Sequence, residues 1–338
     1  MKIVFFEVND ASKFFPMFES NGINMDSLIF FSKKINELSY EELESVCDAE
    51  IISVFIYSHV DKEIINKFTN LKLIQTRSTG YDHIDILEAK SKGILVSNVP
   101  KYGDSTVAEH TFALLLTLSR RITESVLITR EGKFISDGLC GFDLRGKSIG
   151  IVGTGSIGEK VIKIANGFEM DIYAFSHHIR EDLVKEYDVK FLSFEELLKT
   201  VDILSFHVPD TLETHHMLNV NNIYTTKKGV IILNTARGGI LETNCLFEGL
   251  KHDHIGGLGL DVLEEEGDIN DELEVLKQKE SSDLLTLLED RILLSKNNVV
   301  ITPHNAFNSI EALQRIKDVT VESIVEFIGG TPTNTIHY

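Results

Sequence analysis

A chain of 338 residues, 43% apolar and 25% charged with five prolines, has the composition of a globular protein and exceeds one compact core, so two domains are expected. Its 33 basic residues against 52 acidic ones leave a net charge of −19, which argues against nucleic acid or an anionic membrane as partner, since both bind through basic surfaces. No apolar run is long enough to span a bilayer. Three scattered cysteines (Cys47, Cys140, Cys245) fit neither a disulfide framework nor a zinc site, and read as reduced thiols of a cytoplasmic protein.

The chain begins Met-Lys-Ile-Val-Phe-Phe-Glu, with an acid arriving at once, so residues 3–6 read as a first core strand rather than a secretion signal. Apolar runs at 51–57, 73–76 and 95–97 continue the strand series. Pro100 and the Lys-Tyr-Gly-Asp after it mark a hinge, and 105–121 reads as a long helix, apolar at Val107, Ala108, Phe112, Leu115 and Leu118. Strands follow at 148–152, 170–175, 201–206, 230–234, 257–260 and 299–302, and a last helix at 309–328. The acidic, helix-prone stretch between Glu266 and Val299 reads as a surface excursion. Near-continuous apolar strands alternating with helices predict an α/β protein of doubly wound parallel sheets, each covered on both faces.

Gly153, Gly155 and Gly158 form a Gly-X-Gly-X-X-Gly turn directly after a strand and at the start of a helix. The first glycine permits the tight turn, the second lets a pyrophosphate approach the backbone, and the third lets the helix pack close to the sheet. This dinucleotide turn lies far from the N-terminus, so a separate flavodoxin-like α/β domain is expected before it. With the last helix packing back on that domain, the expected division is a discontinuous substrate domain, 1–100 plus 305–338, and a dinucleotide-binding domain, 101–304, with a cleft between them. About 20 residues beyond the turn, where NAD-binding proteins place a carboxylate on the ribose, stands Ser176, followed by His177, His178 and Arg180. A serine with basic neighbours suits a 2′-phosphate, so NADP is expected to be accepted beside NAD; a serine that simply bonds a ribose is the bland alternative.

Arg237, in Asn-Thr-Ala-Arg-Gly, follows a strand, at the sheet edge where open α/β proteins bind ligands, and a guanidinium there can fork onto a carboxylate. His304 closes another strand after Pro303. A glutamate hydrogen-bonded to it would orient the ring and favour its protonated form, and Glu266 is the candidate, though spacing alone does not choose among Glu264, Glu265 and Glu266. His215, His216, His252 and His254 show no metal spacing, and no metal is expected; they read as solvated side chains in loops without an acid framework.

These residues resemble the D-isomer-specific 2-hydroxyacid dehydrogenases, and among them the D-lactate dehydrogenase-like branch. The resemblance runs through Arg-Ser-Thr-Gly-Tyr-Asp-His-Ile-Asp at 77–85, Val-Pro-Lys-Tyr-Gly at 99–103 and Thr-Val-Ala-Glu-His at 106–110. It continues through the glycine turn, Phe-His-Val-Pro at 206–209, Asn-Thr-Ala-Arg-Gly at 234–238, Leu-Asp-Val-Leu-Glu-Glu-Glu at 260–266 and Thr-Pro-His at 302–304. It implies two Rossmann-like domains and NAD(P)-dependent reduction of a small, pyruvate-like 2-oxoacid to the D-2-hydroxyacid. Arg237 would bind the substrate carboxylate, His304 would donate the proton and Glu266 would support it. Thr79 and Gly80 would grip the carboxylate through backbone amides, with Tyr102 touching the substrate. Ser156, Ile157, Val208, Pro209, Thr214, Thr235, Ala236 and Asp261 would contact the cofactor, Asp261 on the nicotinamide side. Tyr57, Ser58 and His59 are weaker candidates for substrate selection. The resemblance also implies a homodimer built through 105–121 and its neighbours. A bulkier 2-oxoacid, or a non-catalytic dinucleotide-sensing corepressor on the same fold, are the alternatives.

Overall fold

The computed structural model describes residues 1–264 and 296–336, which fall into two compact units, Met1–Tyr102 with Ser309–Tyr338, and Gly103–Asn308. The expected excursion between Glu266 and Val299 lies almost wholly outside the described residues, as do Glu265 and Glu266 themselves.

The first unit is a parallel sheet of β1 (Ile3–Phe5), β2 (Leu28–Phe30), β3 (Ile51–Val54), β4 (Leu73–Thr76) and β5 (Leu95–Ser97), ordered β2-β1-β3-β4-β5. This is the flavodoxin-like order. Successive side chains of each strand feed opposite faces. Val4, Ile52, Ile74 and Val96 join Ile64 and Ile65 on one face, while Ile3, Phe5, Ile51 and Leu73 meet Phe14, Phe18, Val321 and Ile324 on the other. Val321 and Ile324 belong to the C-terminal helix Ile310–Ile328, whose N-cap Ser309 accepts from the Ala312 amide.

The strand expected over 51–57 stops at Val54, for a local reason. The carboxylate of Glu7, a residue held at φ 56°, accepts from the amides of Phe55 (2.8 Å) and Tyr57 (3.1 Å) and from Ser58 Oγ (2.6 Å). Those donors leave the ladder and turn the chain. Beside them Arg77, 4% exposed, donates to the carbonyls of Ser53 (3.1 Å) and Phe6 (2.6 Å). Burial pulls its pKa down to about 10, with Glu7 opposing the shift.

The second unit holds β6 (Ser148–Val152), β7 (Asp171–Phe175), β8 (Lys190–Phe191), β9 (Ile203–Phe206), β10 (Val230–Asn234), β11 (Ile255–Leu260) and β12 (Val299–Ile301), all parallel, ordered β12-β11-β10-β9-β6-β7-β8. Outward from β6 the sheet runs β7 and β8 one way and β9 to β12 the other, a Rossmann order extended by one strand, with its switch point between β6 and β9. Both β2 and β8, absent from the sequence expectation, are edge strands of three and two residues.

One helix, Asp104–Ser119, lies against β10, β11 and β12. Glycines in β11 permit the approach: a Cβ on Gly259 would stand 3.0 Å from Leu114 Cβ, and one on Gly257 would be 3.4 Å from Leu118 Cδ2.

The Glu7 knot yields a stability prediction. Glu7→Ala strands two backbone donors and the buried Ser58 hydroxyl, and should cost about 2–4 kcal/mol in urea unfolding, with Glu7→Gln costing less. A loss below about 0.5 kcal/mol for the alanine variant would show that these bonds do not hold the turn.

Candidate active site

The glycine turn sits where β6 ends and the helix Ser156–Gly167 begins. Gly153 has φ 95°, and a Cβ there would meet the His207 carbonyl oxygen at 2.6 Å. A Cβ on Gly158 would fall 2.0 Å from the Gly153 carbonyl oxygen, so only glycine lets the helix close on the turn. Gly155 differs: an added Cβ would meet nothing within 4 Å. The space over Gly155 is open, and it faces a helix N-terminus that no side chain caps. Those first-turn amides need an acceptor, and a pyrophosphate fits the room and the chemistry. Ser156 and Ile157 lie in the same turn, and Ser156 Oγ donates to Asp104 Oδ1 at 3.1 Å.

Ser176 directly follows β7 and is half-buried, while His177 and His178 are exposed. Arg180 donates from Nε to Asp182 Oδ1 (2.9 Å), from Nη2 to Asp182 Oδ2 (2.5 Å) and Glu159 Oε2 (3.0 Å), and from Nη1 to the Thr154 carbonyl (3.4 Å). Two carboxylates therefore neutralise this guanidinium beside the turn, and hold its pKa above the ordinary arginine value. His177 Nε2 stands 3.8 Å from Glu213 Oε2. After β9 come Val208, Pro209 and the buried Thr214, whose hydroxyl donates to the Pro209 carbonyl at 2.5 Å. His207, hydrogen-bonded to Ser205 Oγ at 2.7 Å, is kept neutral by burial, its pKa lowered to about 3.

The ends of β10, β11 and β12 are level, with Asn234 opposite Leu260 and Leu260 opposite Ile301. Arg237 therefore lies three residues past β10, Asp261 directly past β11 and His304 three residues past β12, at one edge of one sheet. Thr235 and Ala236 lead into Arg237; Asn234 shapes that turn by accepting from the Ala236 amide (3.0 Å) and donating to the Arg237 carbonyl (2.8 Å). Arg237 Nη1 donates to the Ala236 carbonyl at 2.7 Å. His304 has a left-handed backbone, φ 47°, with its amide donated to the Asp261 carbonyl at 2.8 Å. Asp261 is 1% exposed, and its carboxylate accepts from Thr302 Oγ1 and from the amides of Asn305 (2.8 Å) and Ala306 (2.7 Å). Its oxygens are thus engaged with the loop that carries His304.

Glu264 is tied elsewhere, accepting from the Thr243 amide at 2.7 Å and pairing with His216 Nε2. His215 stacks on His216 at 4.1 Å and lies 3.2 Å from Asp210 Oδ1. His252 is 3.3 Å from Glu248, and His254 Nε2 is 3.0 Å from Thr226 Oγ1. All four are partnered, His215 and His252 by acids close in sequence while staying exposed, and His216 by a distant one that only the fold brings near. Among the described residues no cluster of three or more histidine, cysteine or acidic side chains could hold a metal.

In the first unit, Thr79 is exposed and its hydroxyl donates to the Val99 carbonyl at 2.8 Å, while Asn98 Nδ2 donates to the Thr79 carbonyl at 2.8 Å. Gly80 accepts from Ser78 Oγ at 2.6 Å, and the Tyr102 carbonyl accepts from Arg315 Nε at 2.6 Å. Sequence reading missed His110 and Thr111: His110 Nε2 lies 2.9 Å from Thr302 Oγ1, and Thr111 Oγ1 lies 2.9 Å from Thr235 Oγ1. The only signal was His110 closing the Thr-Val-Ala-Glu-His stretch.

The glycine geometry separates folding from binding. Gly155→Ala, unstrained at φ −67°, should leave the melting temperature within a few degrees while weakening NADH binding at least tenfold in calorimetric titration. Gly158→Ala should fail to fold or lose several kcal/mol. A Gly155→Ala protein that binds NADH as the parent does would place the pyrophosphate elsewhere.

Residues 112–306 match the sequence model of the D-isomer specific 2-hydroxyacid dehydrogenase NAD-binding domain. A 2-hydroxyacid dehydrogenase homolog from Haemophilus influenzae is 34% identical over 98% of this chain and 97% of its own length. Glyoxylate reductase of Thermococcus litoralis is 35% identical over 87% and 86%. The crystal structure of D-lactate dehydrogenase from Aquifex aeolicus, complexed with NAD and lactic acid, superposes with a TM-score of 0.84 at 37% identity over 98% of this chain and 96% of that one. With two parallel sheets, a fitted dinucleotide turn and these relatives, the chain belongs to the D-isomer-specific 2-hydroxyacid dehydrogenases and is an oxidoreductase of the D-lactate dehydrogenase-like kind.

Proposed function

We propose that this enzyme reduces a small, pyruvate-like 2-oxoacid to its D-2-hydroxyacid, with Arg237 and His304 as the groups that bind and protonate the substrate. The observation that carries this reading is the level row of strand ends, which puts a guanidinium and an imidazole at one edge of one sheet. The reduced nicotinamide, when bound, supplies the hydride to substrate C2. Arg237 is suited to fork onto the substrate carboxylate and to offset the negative charge growing on the carbonyl oxygen. His304 holds the proton that this oxygen takes up. Glu264 is committed to His216 and Thr243, which leaves Glu265 and Glu266, and the family resemblance makes Glu266 the carboxylate that would orient His304. Thr79, Gly80 and Tyr102 are assigned to the substrate by the family resemblance, which makes Met1–Tyr102 with Ser309–Tyr338 the substrate domain.

Ser176 in place of a carboxylate supports acceptance of either dinucleotide. The neutralisation of Arg180 by Asp182 and Glu159 supports NADH ahead of NADPH. Relatives act on glyoxylate or lactate by name, so the decisive assay compares glyoxylate, pyruvate and phenylpyruvate, each with NADH and NADPH. Pyruvate with NADH should be the fastest pair. His304→Ala should lose about a thousandfold in turnover while binding NADH as the parent does. Turnover of that variant within tenfold of the parent would remove His304 from the chemistry.

The partner is a second copy of this chain. The helix Ile122–Arg130 buries none of its residues, and Ile122, Val126 and Leu127 are exposed, as are Phe134 (95%) and Ile135 just beyond it. A face of this kind supports an interface at 122–135 rather than through the preceding helix, seven of whose residues are buried. Sedimentation should give a species of about twice 38.0 kDa, and Phe134→Asp with Leu127→Asp should return it to the single-chain mass. A parent protein that sediments as a single chain at micromolar concentration would overturn this.

A further inference from the structure

We infer that His110 and Thr111, consecutive on the helix Asp104–Ser119, are positioning residues that set the Arg237 loop and the His304 loop relative to each other. This rests on the proposed roles of Arg237 and His304. Each acts through the loop that its side chain is bonded to.

The directions of the hydrogen bonds carry the argument. A carboxylate only accepts, so the Thr302 hydroxyl spends its proton on Asp261 Oδ1. Thr302 Oγ1 must then accept from His110, which fixes a proton on Nε2 of that imidazole at 2.9 Å. Asp261 in turn accepts from the Asn305 and Ala306 amides, the residues directly after His304. A chain of bonds thus runs from the helix through Thr302 and Asp261 into the turn that holds His304 at φ 47°. Such a left-handed backbone is unfavourable for a non-glycine residue and persists only where surrounding bonds fix it.

Thr111 works the other way. Its hydroxyl donates to the Val107 carbonyl one turn back (2.9 Å), so toward Thr235 it can only accept, at 2.9 Å. Thr235 stands two residues before Arg237 and is 8% exposed, and Thr111 is fully buried. Consecutive helical side chains point about 100° apart, so His110 can address the end of β12 and Thr111 the end of β10. Those strands flank β11 and are separated by about 9–10 Å. The gap is bridged because Gly259 of β11 lets Leu114 seat against the sheet.

The two arms predict different losses. Thr302→Val, which keeps the shape and removes the hydroxyl, should lower kcat about 10- to 100-fold with little change in the KM of the 2-oxoacid. Thr111→Val should chiefly raise that KM and weaken binding of oxamate, an unreactive 2-oxoacid mimic. Thr302→Ser and Thr111→Ser should restore most of each loss. Hydrogen–deuterium exchange of the full protein gives a readout independent of activity: Thr302→Val should speed exchange at 304–306, and Thr111→Val at 235–237. Should a valine variant fold poorly, Thr302→Ala and Thr111→Ala are read in its place. Parent-like kinetics and exchange in both arms would overturn the inference, as would serine variants no better than valine. If the parent reduces no 2-oxoacid, the proposed function fails, while the exchange experiment still decides whether these residues hold the loops.

Discussion

Burying a carboxylate is costly unless donors satisfy its lone pairs, and Asp261, 1% exposed, finds those donors in a single loop. Thr302 Oγ1 and the Asn305 and Ala306 amides converge on its two oxygens, while its own backbone carbonyl takes the His304 amide. The loop after β12 therefore has one arrangement that satisfies the buried charge, and that arrangement puts His304 in a left-handed conformation. The backbone that carries the imidazole is thereby held. Level strand ends extend the same order to Arg237, because Asp261 follows β11 directly and donates its amide to the Asn234 carbonyl at the end of β10.

The global charge of −19 makes a substrate of like sign an unwelcome visitor at long range, and salt screens that field beyond roughly 8 Å. What decides binding is local. Around the glycine turn the positive partial charge comes from helix amides rather than side chains, since Arg180 is already balanced by Asp182 and Glu159. A pyrophosphate seated at the glycine turn would meet oriented backbone, and an adenosine end beside Arg180 would meet a neutralised ion-pair cluster. That distinction weakens the simple equation of a nearby arginine with a 2′-phosphate site.

Strand periodicity and the glycine spacing made the parallel α/β architecture and the dinucleotide turn legible, because both are written in local residue order. The strands missed, β2 and β8, are short edges with too few residues to show a period. The strand over 51–57 was read too long because its end is set by Glu7, more than forty residues away, whose carboxylate draws off the Phe55 and Tyr57 amides. The partner of His216 is out of reach of residue order for the same reason: the acid facing it is Glu264, 48 positions on. For Arg180 the sequence shows the charge, and only the fold shows its partners Asp182 and Glu159.

The sequence by itself determined the element types, the chemistry of the turn and the candidate groups Arg237 and His304, since each depends on residues within a few positions of one another. Tertiary structure alone decided which way those groups are held. His110 and Thr302 are 192 residues apart, and Thr111 and Thr235 are 124 apart. Their meeting depends on strand order, on the level ends of β10 to β12 and on a helix seated against glycines of β11. No pattern in residue order encodes such a distance, because it is fixed only when the sheet closes and buried polar groups must find partners.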